Sequence, residues 1–231
     1  MKTIMAIGGH IGDMELTCGA TLASEALKGN KIITVALTAG ERGNPKGMTV
    51  AEYRKQKVRE ATEFAKKLNG EAIVLEYQDG ELPDNEEVRI KVAELMRKYK
   101  PDVCFTHFKN SMHKDHATCS KVVLDAQLYA GIDMGDKVPG DPVYVPIYYC
   151  ENWEDKVGFD RYILVDCSQG YKLWEEAIQG HWFVMNSRDF RYFQYYTSLK
   201  RSVGALAKCD YAEAFDFQDF DKYSIKKSIL E

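Results

Sequence analysis

Short apolar runs and amphipathic stretches alternate along the first 130 residues. Thr3–Ile7 is an apolar run closed by Gly8 and Gly9, and Lys31–Leu37 is a β-branched run closed by Thr38, Ala39 and Gly40. Glu71–Tyr77 and Val103–Thr106 repeat the pattern. These runs are largely apolar without the polar alternation of a half-exposed strand, so strands covered on both faces are predicted. Between them, Leu16–Leu27, Thr49–Leu68, Asn85–Tyr99 and His116–Tyr129 carry apolar positions at helical spacing. In the longest, Val50, Tyr53, Val58, Ala61, Phe64, Ala65 and Leu68 keep to one face. Further strands are predicted at Tyr144–Cys150 and Tyr162–Val165, and helices at Tyr171–Ile178 and Arg191–Leu206. The alternation predicts an α/β, doubly wound, Rossmann-like fold, with a mainly parallel sheet and helices on both faces. No repeat or linker interrupts it, so residues 1–231 read as a single domain. Gly131–Pro146 is the loosest stretch and reads as a lid or a surface excursion.

Composition narrows the class. The net charge of −4 removes the usual driving force for non-specific nucleic-acid binding. No apolar run approaches the roughly 20 residues of a membrane helix, and the start carries no signal-peptide pattern. Six cysteines are scattered without a CxxC pair and read as buried, reduced thiols. The expectation is a cytoplasmic protein acting on a small molecule, without nucleic-acid or membrane partners; assembly into a homo-oligomer is compatible with the sequence.

In a doubly wound sheet, ligands bind beyond the carboxyl ends of the strands where the strand order reverses. If the order begins 3-2-1-4, the loops after strands 1 and 4 flank that point. They hold His10, His107, His113 and His116, four of the five histidines, together with Asp13 and Asp115. Two histidines and a carboxylate are a common catalytic set for zinc, leaving one position open for water. His10 and Asp13 can act together because Gly8, Gly9 and Gly12 permit a tight turn; the lesser alternative for Asp13 is an N-cap of the following helix, which would compete for the same carboxylate. Of His113 and His116, only one need be a ligand. The other could donate a hydrogen bond to a reacting carbonyl, oriented by Asp115.

These residues resemble a known family. Gly9-His10-Ile11-Gly12-Asp13-Met14-Glu15 followed by Cys18-Gly19-Ala20-Thr21-Leu22-Ala23 is similar to the Ala-His-Pro-Asp-Asp-x-Glu … Gly-Gly-Thr-Leu-Ala opening of the PIG-L/LmbE family, mostly zinc-dependent N-acetylglucosaminyl deacetylases. Leu37–Gly43, the Glu60–Leu68 helix, Asp79-Gly80-Glu81-Leu82, His113-Lys114-Asp115-His116 and Tyr211-Ala212-Glu213-Ala214-Phe215 resemble its later motifs, in the right order. The resemblance implies one Zn2+ per chain, with other divalent metals able to replace it. It makes His10, Asp13 and His116 the zinc ligands. It makes His113 the residue that polarises the carbonyl or protonates the leaving group, and Asp115 its orienting partner. The implied activity is removal of an acetyl group from an N-acetylated sugar or related small amide.

The chain departs from the pattern at Ile11 and, more seriously, at Gly12, where the family has the aspartate that serves as general base. Losing such a base costs about 10²–10⁴ in rate. Glu41, after strand 2 on the same sheet edge, is a candidate substitute; it could instead pair with Arg42 or cap its loop. Relatives lacking the same aspartate resemble a ring-cleavage-pathway hydratase, so the alternative is a metal-dependent lyase adding water to an unsaturated carboxylic acid, with Glu41 as acid/base. Arg42 and Lys109 are candidates for binding an anionic substrate, and Trp153 for forming a wall of the site.

Overall fold

The computed structural model describes residues 1–219 and 222. Seven strands form one sheet in the order β3-β2-β1-β4-β5-β7-β6. They are β1 (Thr3–Gly8), β2 (Lys31–Thr38), β3 (Glu71–Tyr77), β4 (Val103–His107), β5 (Ile147–Cys150), β6 (Ile163–Asp166) and β7 (Ala212–Phe217). β1 pairs in parallel with both β2 and β4, and β2–β3 and β4–β5 are also parallel. β7 is antiparallel to β5 and β6. The helices are α1 (Asp13–Thr17), α2 (Gly19–Leu27), α3 (Val50–Lys67), α4 (Glu86–Tyr99), α5 (Lys114–Gly131), α6 (Ser168–Ile178), α7 (Trp182–Asn186) and α8 (Tyr192–Ala207).

Strand side chains alternate between two cores, which is why the runs are apolar throughout. Ile4, Ala6, Ile32 and Phe105 join Leu22, Trp174 and Tyr196 on one face. Met5, Ile7, Ile33, Val35 and Cys104 join Val92, Met96 and Val122 on the other. The sheet reverses at β1, between β2 and β4, as the doubly wound reading requires. No helix among the described residues is long and apolar enough to cross a membrane. The six cysteines are free; five are buried and Cys209 is partly exposed.

Besides the short α7, which was not expected, two features differ from the sequence pattern. The helix expected over Leu16–Leu27 is two helices broken at Cys18. Glu213 on β7 accepts hydrogen bonds from the amides of Ala20 (3.1 Å) and Thr21 (2.7 Å), capping α2 at a fresh N-terminus. The Trp174 indole donates to the Glu15 carbonyl at 2.7 Å, and its ring fills the space a Cβ on Gly19 would need. The second difference is β7, a strand that alternation alone did not announce, inserted antiparallel between β5 and β6.

The loose segment after α5 is a surface excursion outside the cleft described below. Arg97, buried on α4, donates to the carbonyls of Tyr129, Ala130, Ile132, Val138 and Gly140 and ties the segment down. Arg97→Ala leaves buried carbonyls without donors. It is expected to cost about 3 kcal/mol and to speed proteolysis of residues 131–143, measured by urea melts and limited digestion.

Candidate active site

β1 ends at Gly8, and the chain turns through Gly9–Gly12 into α1. Gly12 sits at φ 105°, in the left-handed region, and its amide donates to Glu15 Oε2 at 3.0 Å. The turn folds Asp13 back, so that its Oδ2 accepts the His10 amide at 2.7 Å. β4 ends at His107, and the loop beyond it brings His113 to the N-cap of α5 and His116 into its first turn.

The two loops meet at a triangle of donor atoms. His10 Nδ1 lies 3.2 Å from Asp13 Oδ2 and 3.1 Å from His116 Nε2, and His116 Nε2 lies 3.3 Å from Asp13 Oδ2. A tetrahedral ion with donor bonds of about 2.0–2.1 Å needs donor–donor edges of about 3.3–3.4 Å. The triangle therefore has the size of one face of such a site. Behind it, His10 Nε2 lies 3.1 Å from Asp79 Oδ1 and 3.4 Å from Asp115 Oδ2, while His116 Nδ1 lies 2.9 Å from Glu154 Oε2. A carboxylate behind each imidazole is the arrangement that fixes a metal-binding histidine in its tautomer.

The electrostatics point the same way. Burial opposes charge on His10, but Asp13, Asp115 and Asp79 outweigh it and hold its pKa well above the usual imidazole value. Burial likewise opposes charge on His116, and Asp13 with Glu154 lifts it to about 9. Asp13, despite its own burial, is held well below the usual carboxylate range by His116 and His10. Protons on the two imidazoles thus stand where a cation would bind, and a metal entering the triangle would displace them. The donor set, two nitrogens and one oxygen, suits zinc.

His113 is half-buried beside the triangle, its ring centroid 4.8 Å from that of His10 and 4.4 Å from that of His116. Its Nδ1 accepts the Asp115 amide at 3.2 Å, which leaves Nε2 as the nitrogen that carries hydrogen in the neutral ring. Burial and the neighbouring His116 lower its pKa and favour that neutral form. The Asp115 side chain does not do what was expected of it. Its carboxylate accepts the Gly80 amide at 2.6 Å and faces His10; only its backbone touches the ring of His113.

Three other expected residues stand outside the cleft. Glu41 is buried, but its carboxylate accepts the Asp79 amide at 3.1 Å and pairs with Arg54 at 3.3 Å, an arginine that sequence spacing did not suggest. It anchors the loop that carries Asp79, and the acid/base role expected of it has no support in this geometry. Arg42 is paired with Glu81, and Lys109 with Asp219, both at the surface. Trp153 does line the cleft, stacked on Phe190 at 4.4 Å. The cleft has a volume of about 900 Å³, and Tyr53, Lys57, Trp153, Phe183 and Tyr192 are among its walls.

Several site residues were given no role from the sequence. His107 is fully buried, stacked on His116 at 4.0 Å, and its Nε2 lies 3.0 Å from Asp13 Oδ2. Burial and His116 push its pKa down to about 4, so it packs as a neutral ring. Its membership of the histidine cluster was the available signal. Asp79 stood in a recognisable Asp-Gly-x-Leu turn. Glu154, Lys57 and Phe183 had no signal, because each reaches the site through tertiary packing. Phe183 matters most: a Cβ on Gly12 would lie 2.3 Å from its Cζ.

A sheet reversal that gathers a histidine–aspartate cluster at the strand ends, in an open cleft, is where a doubly wound fold places a small-molecule site. The family described as GlcNAc-PI de-N-acetylase, PIG-L, matches residues 5–127, and the chain belongs to that family. The solved 4-carboxy-2-hydroxymuconate hydratase GalB of Pseudomonas putida is similar over 99% of this chain and 100% of its own, with a TM-score of 0.84 and 21% identity. The N,N'-diacetylchitobiose deacetylase of Pyrococcus horikoshii is similar over 99% of this chain and 88% of its own, with a TM-score of 0.80 and 21% identity. At such identities the likeness concerns the fold. The uncharacterized deacetylase YaiS of Escherichia coli is 52% identical over 42 residues; the match spans 18% of this chain and 23% of that protein's length.

Proposed function

We propose that the chain is a zinc-dependent N-deacetylase acting in the cytoplasm on a small N-acetylated sugar or related amide. The observation that carries this reading is the donor triangle of His10, Asp13 and His116, of a size for one tetrahedral ion, with His113 beside it. A zinc ion held there supplies a Lewis acid that polarises a carbonyl and acidifies water.

The chain's own groups do the rest. His113, held through Nδ1 by the Asp115 amide, presents Nε2–H as a hydrogen-bond donor to the amide oxygen. Asp79, Asp115 and Glu154 hold the two ligand imidazoles in place. Trp153 supplies a flat wall against which a sugar ring can lie. No carboxylate stands at position 12, so proton removal from water lacks the usual assistance. The hydratase reading needs Glu41 as its proton carrier, and that carboxylate is spent on Arg54 and the Asp79 amide; deacetylation is therefore favoured.

The test is acetate release from N-acetylglucosamine and N,N'-diacetylchitobiose by chelator-stripped protein reloaded with zinc. Release is expected to require the metal. It should fall about 10²–10⁴-fold in His113→Ala with zinc content unchanged. Absence of acetate release from both compounds and from the anionic N-acetylmuramic acid, whether zinc, iron or manganese is loaded, would overturn the reading.

A further inference from the structure

Lys57 is the outlier of the cleft. It rises from α3, is 5% exposed, and has no carboxylate within ion-pairing distance among the described residues. Its Nζ makes one long hydrogen bond, to the Gly40 carbonyl at 3.4 Å. Its Nζ lies over the rings of Phe183, at 4.5 Å, and Tyr53, at 5.8 Å. An ammonium has three donors to satisfy, and burying one without an anionic partner is costly. Aromatic faces offset only part of that cost. Lys57 lines the cleft, and from there an acceptor can reach it.

Its position is equally specific. The point that a Cβ on Gly40 would occupy lies 2.8 Å from Lys57 Nζ and 3.4 Å from His10 Cγ, so the ammonium stands beside a residue of the donor triangle. Phe183, which Lys57 covers, is the residue that fills the space beside Gly12. At one wall of the site, therefore, a carboxylate of the family pattern is missing and a cation is present. Burial holds the Lys57 pKa below the ordinary lysine value, and Asp13, Asp79, Glu15 and Glu60 act from a distance against that shift.

We propose that Lys57 binds a carboxylate of the substrate, so that this chain takes anionic N-acyl compounds, such as an N-acetylated sugar acid, over neutral ones. The proposal rests on the cleft being the active site, but not on the reaction performed there. The ammonium donates to the substrate carboxylate while the acyl group lies toward His113. The cation selects among substrates; it is not required to move a proton.

Isothermal titration of the zinc-loaded full chain with succinate and with succinamide tests this with no bond to hydrolyse. Succinate is expected to bind at least about tenfold more tightly, as a charge-assisted hydrogen bond implies. Lys57→Met should remove that preference while leaving succinamide within about twofold, and Lys57→Gln should do the same should the first variant fold poorly. Lys57→Arg should keep it to within about threefold. Equal binding of the two ligands by the wild-type chain would overturn the proposal. So would a preference that survives Lys57→Met or Lys57→Gln, since it would then belong to the metal. Failure of acetate release from N-acetyl compounds would count against deacetylation and leave this titration unaffected.

Discussion

Gly12→Asp, the substitution that restores the family's base, is expected to lower stability by about 3 kcal/mol or more and to bring no gain in deacetylation. Two physical terms act together. The residue sits at φ 105°, where a side chain is strained by about 1–3 kcal/mol. A Cβ there would also meet the Phe183 ring at 2.3 and 2.6 Å, with the ring hemmed in by Lys57 and Tyr192. Phe183→Ala made alongside Gly12→Asp removes the collision and leaves the backbone strain. The double variant should stay less stable than wild type, from the remaining strain and the lost Phe183 packing, yet gain deacetylase rate, up to about 10²–10⁴-fold over wild type. Chemical denaturation and acetate release would measure the two effects. A stable single variant with raised activity would mean that Phe183 does not hold this space.

Asp13→Ala is expected to leave less than about a tenth of the zinc bound by wild type, which should carry near one ion per chain. Removing this carboxylate deletes one corner of the triangle and leaves two imidazoles, a donor set short of the usual three. His10→Ala should do the same. Glu154→Gln should act more gently, weakening zinc by about 10–100-fold, because it touches only the far nitrogen of His116. Metal content after dialysis and competition with a chromogenic chelator would measure the series. Near-stoichiometric zinc in both Asp13→Ala and His10→Ala would contradict the ligand assignment.

The parallel half of the fold was legible because its cause is local. Strands buried on both faces must be apolar at successive positions, and helices between them must be apolar at 3.6-residue spacing. The break at Cys18 was not legible, because Glu213, nearly two hundred residues away, supplies the cap that starts α2. β7 escaped for a related reason: its Glu213 and Asp216 are buried charges, paired with Lys200 and Lys222, so its sequence lacks a plain apolar run.

At the site, the histidines and Asp13 could be read from the chain because a tight glycine turn and one sheet edge confine them. Glu41, Arg42 and Lys109 were placed correctly along the chain but wrongly in space. Long side chains near an active edge choose among partners by geometry, and here Arg54, Glu81 and Asp219 won. By itself, then, the sequence determined the alternation of elements, the edge where chemistry gathers and the residue types that meet there, all properties of neighbours along the backbone. Which carboxylate backs which imidazole, what fills the space beside Gly12 and which cation faces the cleft were decided by packing between distant segments. Those contacts depend on distances of a few ångströms that no local pattern encodes.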